Sequence, residues 1–387
     1  MAQSNAFKFA NNILTNGGYD AADLVGAVGG GTNFRNIIIN GDMQVAQRST
    51  SVASITSGGY YTLDRFRLGI GSLGTFTMSQ STDVPSGYGF SSSLKLDCTT
   101  ADATPSAGDI MRLSQFFEGQ NLQYLKKGTA NAVSLTASFW VKSTKTGTFI
   151  VELYDVDNTR TISKSYTVSV SNTWEFKTVT FAGDTTGAFG NDNASSLEIN
   201  FFLGAGTTYT SGTLQTNWGA EVSANRAVGQ VNIADSTSND FLITGVQLEA
   251  GTSATDFEFL PIDVNLLRCQ RYLFAIKSSE HSDGYCRFIV GDIESTTVIT
   301  TTCTLPVKMR ATPTLTGTGT ASNYAIYSGG TVYTCSANPV IASANPQTVC
   351  VVAYVSSGLT IGTGGALLAN NNNTAYLYFG AELWFIN

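Results

Sequence analysis

The sequence predicts an all-β protein: an antiparallel jelly-roll β-sandwich followed by a second, smaller β domain, with a short, partly helical N-terminal arm. Three observations carry this. Hydrophobic residues make up 42% of the chain and charged residues only 13%, so there is apolar surface to bury and none of the charge-rich character of a disordered segment. The 22 Phe, 16 Tyr and 39 Gly, set among abundant Ser, Thr and Asn, suit short strands and tight turns better than long helices. Apolar residues then alternate at period two in one segment after another, with no long helix to cross between parallel strands. At 387 residues the chain exceeds what one core usually serves, so two globular units are expected.

Along the chain, residues 1–34 form the expected arm. Ser4 is placed to cap a short helix that Gly17 and Gly18 would stop, and Phe7, Phe9, Ile13 and Leu14 supply its apolar anchoring residues. Such a helix is marginal alone, so it would be held by a neighbouring subunit or mounting surface, or docked on its own sandwich.

Residues 35–261 read as the sandwich, opening at Ile37-Ile38-Ile39 and the Asn40-Gly41 turn. Val133, Leu135, Ala137, Phe139 and Val141 face one way and Trp140 the other, the pattern of a half-buried strand. Phe149 to Leu153 and Tyr166 to Val170 make a hairpin around Asp155-Val-Asp-Asn158, and one helical turn is expected around Leu122 to Lys127. Trp174, Phe176, Val179 and Phe181 cannot share one face, which predicts a bulge near Lys177 or Thr178. Two more strands follow at Leu197–Leu203 and Phe241–Glu249. Trp140, on the polar face of its strand, and Trp218, in the Thr216-Asn-Trp-Gly219 loop, are the rings placed to stand open; the alternative is that a neighbouring element covers them. Asp155, Asp157 and Asn158, or Asn191 to Asn193, offer oxygen ligands for calcium, although turn formation alone explains the first group.

Residues 262–387 form the second β domain, entered by a helix that Asp263 is expected to cap. In its last strand Tyr376, Tyr378, Trp384 and Ile386 alternate with Leu377, Phe379, Leu383 and Phe385, so both faces are apolar. That suits a central or interface strand, or an aromatic row of Tyr376 and Tyr378 presented to a glycan.

The chemistry visible in the residues points away from catalysis. His281 is the sole histidine, neither a GxSxG nor an HExxH pattern occurs, and Gly69-Ile-Gly-Ser-Leu-Gly74 leads into a strand rather than the helix a phosphate loop requires. No cofactor is expected. The six cysteines contain no CxxC pair, which removes zinc and leaves small buried thiols, or pairs formed outside a reducing cell. A formal charge of −7 with scattered Lys and Arg excludes nucleic acid as a partner. With no apolar run near the ~20 residues that span a bilayer, and no signal-peptide core after Met1, no membrane insertion is expected and synthesis is expected in a cytoplasm.

Leu135-Thr-Ala-Ser-Phe-Trp-Val-Lys142, Thr173-Trp-Glu-Phe-Lys-Thr-Val-Thr180 and Gly245-Val-Gln-Leu-Glu249 resemble successive strands of jelly-roll carbohydrate-binding modules over residues 36–260. That resemblance implies sugar held by loops at one end or by a sheet face, and makes Trp140 and Trp218 candidate sugar-stacking residues. Gly245-Val-Gln-Leu-Glu-Ala-Gly251, Cys269-Gln-Arg-Tyr272 and Leu305-Pro-Val-Lys-Met-Arg-Ala-Thr-Pro313, in that order, resemble bacteriophage tail-fiber and other virion surface proteins, the last two falling in the fiber-type C-terminal region. The resemblance implies a virion subunit, assembled in the host cytoplasm, that is a homo-oligomer and expected to be a trimer. Its implied partners are other virion proteins and a host cell-surface glycan. The favoured reading is a fiber or adhesin subunit; a capsid or tail decoration protein and a polysaccharide-degrading tailspike stay open. Thr314 to Gln347 is rich in Gly, Thr, Ser and Asn, so no ligand is carried over.

Overall fold

The computed structural model describes residues 34–282 and 284–383. The arm residues Phe7, Phe9, Ile13 and Leu14 lie outside the described residues, as do Trp384, Phe385 and Ile386. Eleven strands build the first lobe: β1 (Ser51–Gly59), β2 (Arg67–Ser81), β3 (Ser93–Thr100), β4 (Ile110–Glu118), β5 (Leu135–Ser143), β6 (Gly147–Asp155), β7 (Arg160–Val168), β8 (Glu175–Phe181), β9 (Ser195–Ala205), β10 (Gly219–Ala220) and β11 (Asp240–Ala250). Their pairing is antiparallel throughout, in the order β10-β7-β6-β9-β4-β2-β3-β11-β5-β8, with β1 on β2. The long strand β2 is the corner of the sandwich. Its first residues, Arg67–Gly71, pair with β4, while Thr75–Ser81 pair with β3. The glycines that mimic a phosphate loop sit at this bend: Gly74 has φ +68°, and a Cβ there would lie 2.6 Å from the Thr100 carbonyl oxygen.

The two layers meet face to face through aromatic rings. Phe139 of β5 lies 5.0 Å, centroid to centroid, from both Phe201 of β9 and Tyr166 of β7, edge to face. Outward faces differ from the expectation in two strands. No bulge occurs in β8, whose register with β5 is unbroken from Glu175 to Phe181. Val179 and Phe181 point into the core, Phe176 points out at 48% exposure, and Trp174 precedes the strand, so the phase conflict is resolved by exposing an aromatic. The bulge lies in β11 instead, between Thr244 and Gln247. It moves the buried set from Phe241 and Ile243 to Val246 and Leu248, and Gly245 takes φ +60° to make it. The expected opening strand is likewise replaced: Ile37 donates to the Leu248 carbonyl (2.8 Å), while the Asn36 amide bonds Val246, Ile38 and Leu248. Around Leu122 the helical turn appears as two 3₁₀ turns, Gly119–Asn121 and Gln123–Leu125.

Helix α1 (Ile262–Gln270) leads to the second lobe. Pro261, not Asp263, is its N-cap; Asp263 sits in the first turn, where a carboxylate suits the exposed N–H groups. β12 (Leu273–Lys277), β21 (Tyr376–Gly380) and β15 (Thr314–Gly317) form a three-stranded sheet with β21 central. The other seven strands, β13 (Arg287–Ser295), β14 (Val298–Thr304), β16 (Tyr324–Ser328), β17 (Thr331–Thr334), β18 (Ala337–Ala344), β19 (Thr348–Tyr354) and β20 (Gly364–Ala369), pair in the order β17-β16-β20-β13-β14-β19-β18. Leu377 and Phe379 join Ile299, Val351 and Leu367 in one apolar core.

Two of the three sequence blocks, Cys269–Tyr272 and Leu305–Pro313, meet at the seam between the lobes. Arg271 Nε and the Tyr272 hydroxyl both donate to Glu118 at the end of β4 (2.7 and 2.5 Å). Burial alone would raise the Glu118 pKa, but these hydrogen bonds hold it below the ordinary carboxylate value. Arg65 is fully buried; its guanidinium lies 3.5 Å from the Tyr272 ring centroid, donates to the Phe116 carbonyl (2.7 Å) and pairs with Glu382. Arg310 completes the seam by donating to the carbonyls of Ala381 (2.8 Å) and Asn193 (3.1 Å).

Asp64, next to Arg65 and 1% exposed, gives the fold a pH signature. Burial pushes its pKa from 3.8 up to about 6, against the opposing effects of Arg48 and Gln47. Because the folded state holds this proton more tightly than the unfolded chain, the stabilisation is complete below about pH 3.8 and is lost as pH rises through about 6. At pH 7 the ionised group therefore costs on the order of 2–3 kcal/mol relative to its neutral form. Asp64→Asn has a fixed cost, since its amide would meet the Gln47 side-chain NH₂, but none that titrates. The stability of Asp64→Asn relative to wild type should fall by roughly that amount between pH 7 and pH 4 in urea titrations; a pH-independent difference would refute the assignment.

Candidate functional site

The outward aromatic of β8 belongs to a larger group. Phe176 is the register partner of Trp140 on β5, and their rings are 5.4 Å apart. Trp140 in turn pairs with Thr244 of β11. From the loop between β2 and β3, Tyr88 leans on Trp140 at 4.2 Å. Behind them Phe90 packs over Gly245, where a Cβ would come within 2.5 Å of its ring, so the bulge glycine makes room for this aromatic floor. Phe257 and Phe259, from the segment after β11, close the group at 5.1 Å from Phe90. Together they line a shallow basin of about 590 Å³ on the outer face of the sheet.

Tyr88 (56%), Phe176 (48%) and Phe259 (46%) are strongly exposed although they lie in one group with buried Phe90. Single exposed apolar side chains are ordinary; a contiguous group, Phe176 from β8 with Tyr88 and Phe259 from the flanking loops, makes a candidate binding face. Its margin is polar. Asp83 accepts from Lys142 Nζ (2.7 Å) and Trp174 Nε1 (2.9 Å), and these bonds hold its pKa below the ordinary value against the upward push of burial. In the same cross-strand row as Lys142, since both are partners of Leu242, Lys95 lies 3.1 Å from Asp240, which stands opposite Asp97 in the ladder. Burial and then the Asp240 carboxylate raise the Asp97 pKa. Flat aromatic faces beside hydroxyl-competent donors and acceptors are what a sugar ring, apolar on its C–H faces and polar around its rim, requires.

The other sequence candidates lie elsewhere. Trp218 is not an open platform: its indole N–H donates to the Ala182 carbonyl (2.7 Å), Lys127 Nζ lies over its ring and it packs on the sandwich core. Asp155 is fully buried and paired with Lys127, with Asn158 Nδ2 donating to it (3.0 Å); Asp157 accepts from the Gly190 N–H (2.8 Å). Lys127 thus stands where a calcium ion would, and among the described residues no group of three or more His, Cys, Asp or Glu could hold a metal. Asp192 caps its own turn at Ala194 N, and Asn193 donates to Arg310 O at the seam. His281 is exposed. Tyr376 and Tyr378 stack at 4.0 Å in a groove between the lobes, the Tyr378 hydroxyl donating to the Arg48 carbonyl (2.7 Å). Of the face itself, the sequence indicated only Trp140; the out-of-phase Phe176 was its one further signal.

No family model and no curated protein matches the chain. Among solved structures it is similar to the enzymatically active domain of tailspike protein 4 of bacteriophage CBA120, at 17% identity and a TM-score of 0.30 over 56% of this chain and 21% of that one. The match thus spans about a fifth of that domain's length. It is also similar to TmCBM61 in complex with β-1,4-galactotriose (10% identity, TM-score 0.28, 56% of this chain, 99% of that one). A third is the C-terminal family 22 carbohydrate-binding module of Clostridium thermocellum Xyn10B (11% identity, TM-score 0.26, 49% and 89%).

Proposed function

We propose that the outer face of the first lobe binds a glycan, and that the chain is a bacteriophage fiber or adhesin subunit that holds its host through this face. The contiguous exposed group of Tyr88, Trp140, Phe176 and Phe259 carries the first part. The resemblance of the three sequence blocks to virion surface proteins supports the second. Binding without cleavage is the chemistry proposed: five of the buried carboxylates, Glu118, Glu152, Asp155, Asp184 and Glu382, are each held in an ion pair, and Asp64, which is not, is fully buried at the seam and accepts from Gln47.

Retention on immobilised host-envelope polysaccharides tests the reading. Wild type is expected to be retarded, and Tyr88→Ala to lose roughly tenfold in affinity with an unchanged melting temperature, since Tyr88 is a loop residue with its ring mostly exposed. Absence of retention on every polysaccharide, or retention indifferent to Tyr88, would count against a glycan face. Release of reducing ends during the same assay would count against binding without cleavage.

A further inference from the structure

We propose that the groove between the two lobes is a second saccharide site, built for an anionic sugar bearing carboxylate groups. It is a separate cavity of about 850 Å³, within the usual range of ligand sites, and none of its residues belongs to the aromatic face. Its apolar wall is the stacked pair Tyr376 and Tyr378, with Tyr60 and Tyr61 also lining the groove.

The charge balance sets the ligand class. Arg48, Lys277 and Arg310 line the groove, and among the described residues Glu382 is the only carboxylate that does. Glu382 is nearly buried and is met from beneath by Arg65, which does not line the groove. Counting the flanking groups, Lys277 lies 2.8 Å from the exposed Glu280 and Arg48 lies near the buried Asp64. With Glu118 near Arg310, itself paired with Arg271, that leaves five cations against four carboxylates, in a chain whose formal charge is −7. An anion entering the groove therefore meets a local excess of positive charge that most of the surface lacks.

The cations are also positioned. Arg48 is held 3.3 Å from Glu382 and over the Tyr60 ring. Arg310 is fixed by three backbone carbonyls, those of Ala381, Asn193 and Glu382. A guanidinium has five N–H donors, so among the described residues Arg310 retains donors for a carboxylate. Lys277 brings an ammonium to the groove, held 2.8 Å from the exposed Glu280 carboxylate. Aromatic wall and convergent donors together suit a uronic-acid ring better than a neutral one.

Calorimetric titration of the full chain with oligogalacturonate, oligomannuronate and oligoglucuronate, each also as its methyl ester, tests this. Esterification keeps the skeleton and removes the charge. At least one of the three acids is expected to bind, its ester to bind roughly tenfold or more weakly, and added salt to weaken the acid alone. Lys277→Glu and Tyr376→Ala, both partly exposed positions, are expected to weaken the acid by a similar factor with unchanged circular dichroism. Trp140→Ala should leave it unaffected, so failure of the groove and failure of the aromatic face are told apart. No binding of any of the acids, or binding that survives esterification or the Lys277→Glu change, would overturn the proposal.

Discussion

Arg65→Met is expected to cost about 3 kcal/mol of stability, and it should separate the unfolding of the two lobes into distinct steps. Removing one member of a buried ion pair typically costs roughly 3–5 kcal/mol, because the partner charge is left in a poor solvent. Here the lower end applies, since Glu382 keeps Arg48 at 3.3 Å. Arg65 also gives up its bond to the Phe116 carbonyl and its place over the Tyr272 ring. Its backbone, at φ +72°, adopts the left-handed region that non-glycine residues avoid by about 1 kcal/mol, a conformation the side-chain network holds in place. Because Arg65 belongs to the first lobe and Glu382 follows the last strand of the second, the loss falls on the coupling between them. Calorimetry should show a broadened or split transition. Adding Glu382→Gln to Arg65→Met should recover part of the loss by removing the stranded charge. A change below 1 kcal/mol in urea titration, with a single sharp transition, would show that the pair does not bind the lobes.

How far the fold was legible depends on how one-sided each strand is. Val133 to Lys142 announced itself because its core face, Leu135, Ala137, Phe139 and Val141, is buried and its other face is partly solvated. β9 was visible as a strand for a different reason: Leu197, Ile199, Phe201 and Leu203 fill the sandwich, while Phe202 meets a second apolar group with Ile150 and Ala227. β8 was misjudged since periodicity reports apolar residues, not burial; Phe176 is apolar and exposed because a neighbouring Trp140 shares its face. Tyr88 gave no periodic signal at all, lying in a glycine-flanked loop whose contact with Trp140 spans 52 residues of sequence. Trp218 failed in the opposite sense: its position in a polar loop suggested openness, while a carbonyl 36 residues away claims its N–H. All three blocks that stood out have a physical reason to do so: Arg271, Tyr272 and Arg310 of two of them assemble the seam, and Gly245 of the third permits the bulge under Phe90.

Trp140→Ala should have the largest effect on glycan affinity, a loss of about 2 kcal/mol or roughly thirtyfold. Among the described residues it is the ring in contact with both exposed neighbours, Tyr88 at 4.2 Å and Phe176 at 5.4 Å, so truncation removes a stacking surface and the support that orients the other two. Stability should change far less, by about 1 kcal/mol, because the core contacts of β5 run through Phe139 and Val141 on the opposite face. This difference between affinity and stability separates a binding face from a merely covered one. Trp140→Phe, which keeps a flat ring of smaller area, should restore part of the affinity. Binding of the alanine variant within threefold of wild type would move the site away from this face, whereas a stability loss several times larger than expected would show that Trp140 is chiefly a packing residue.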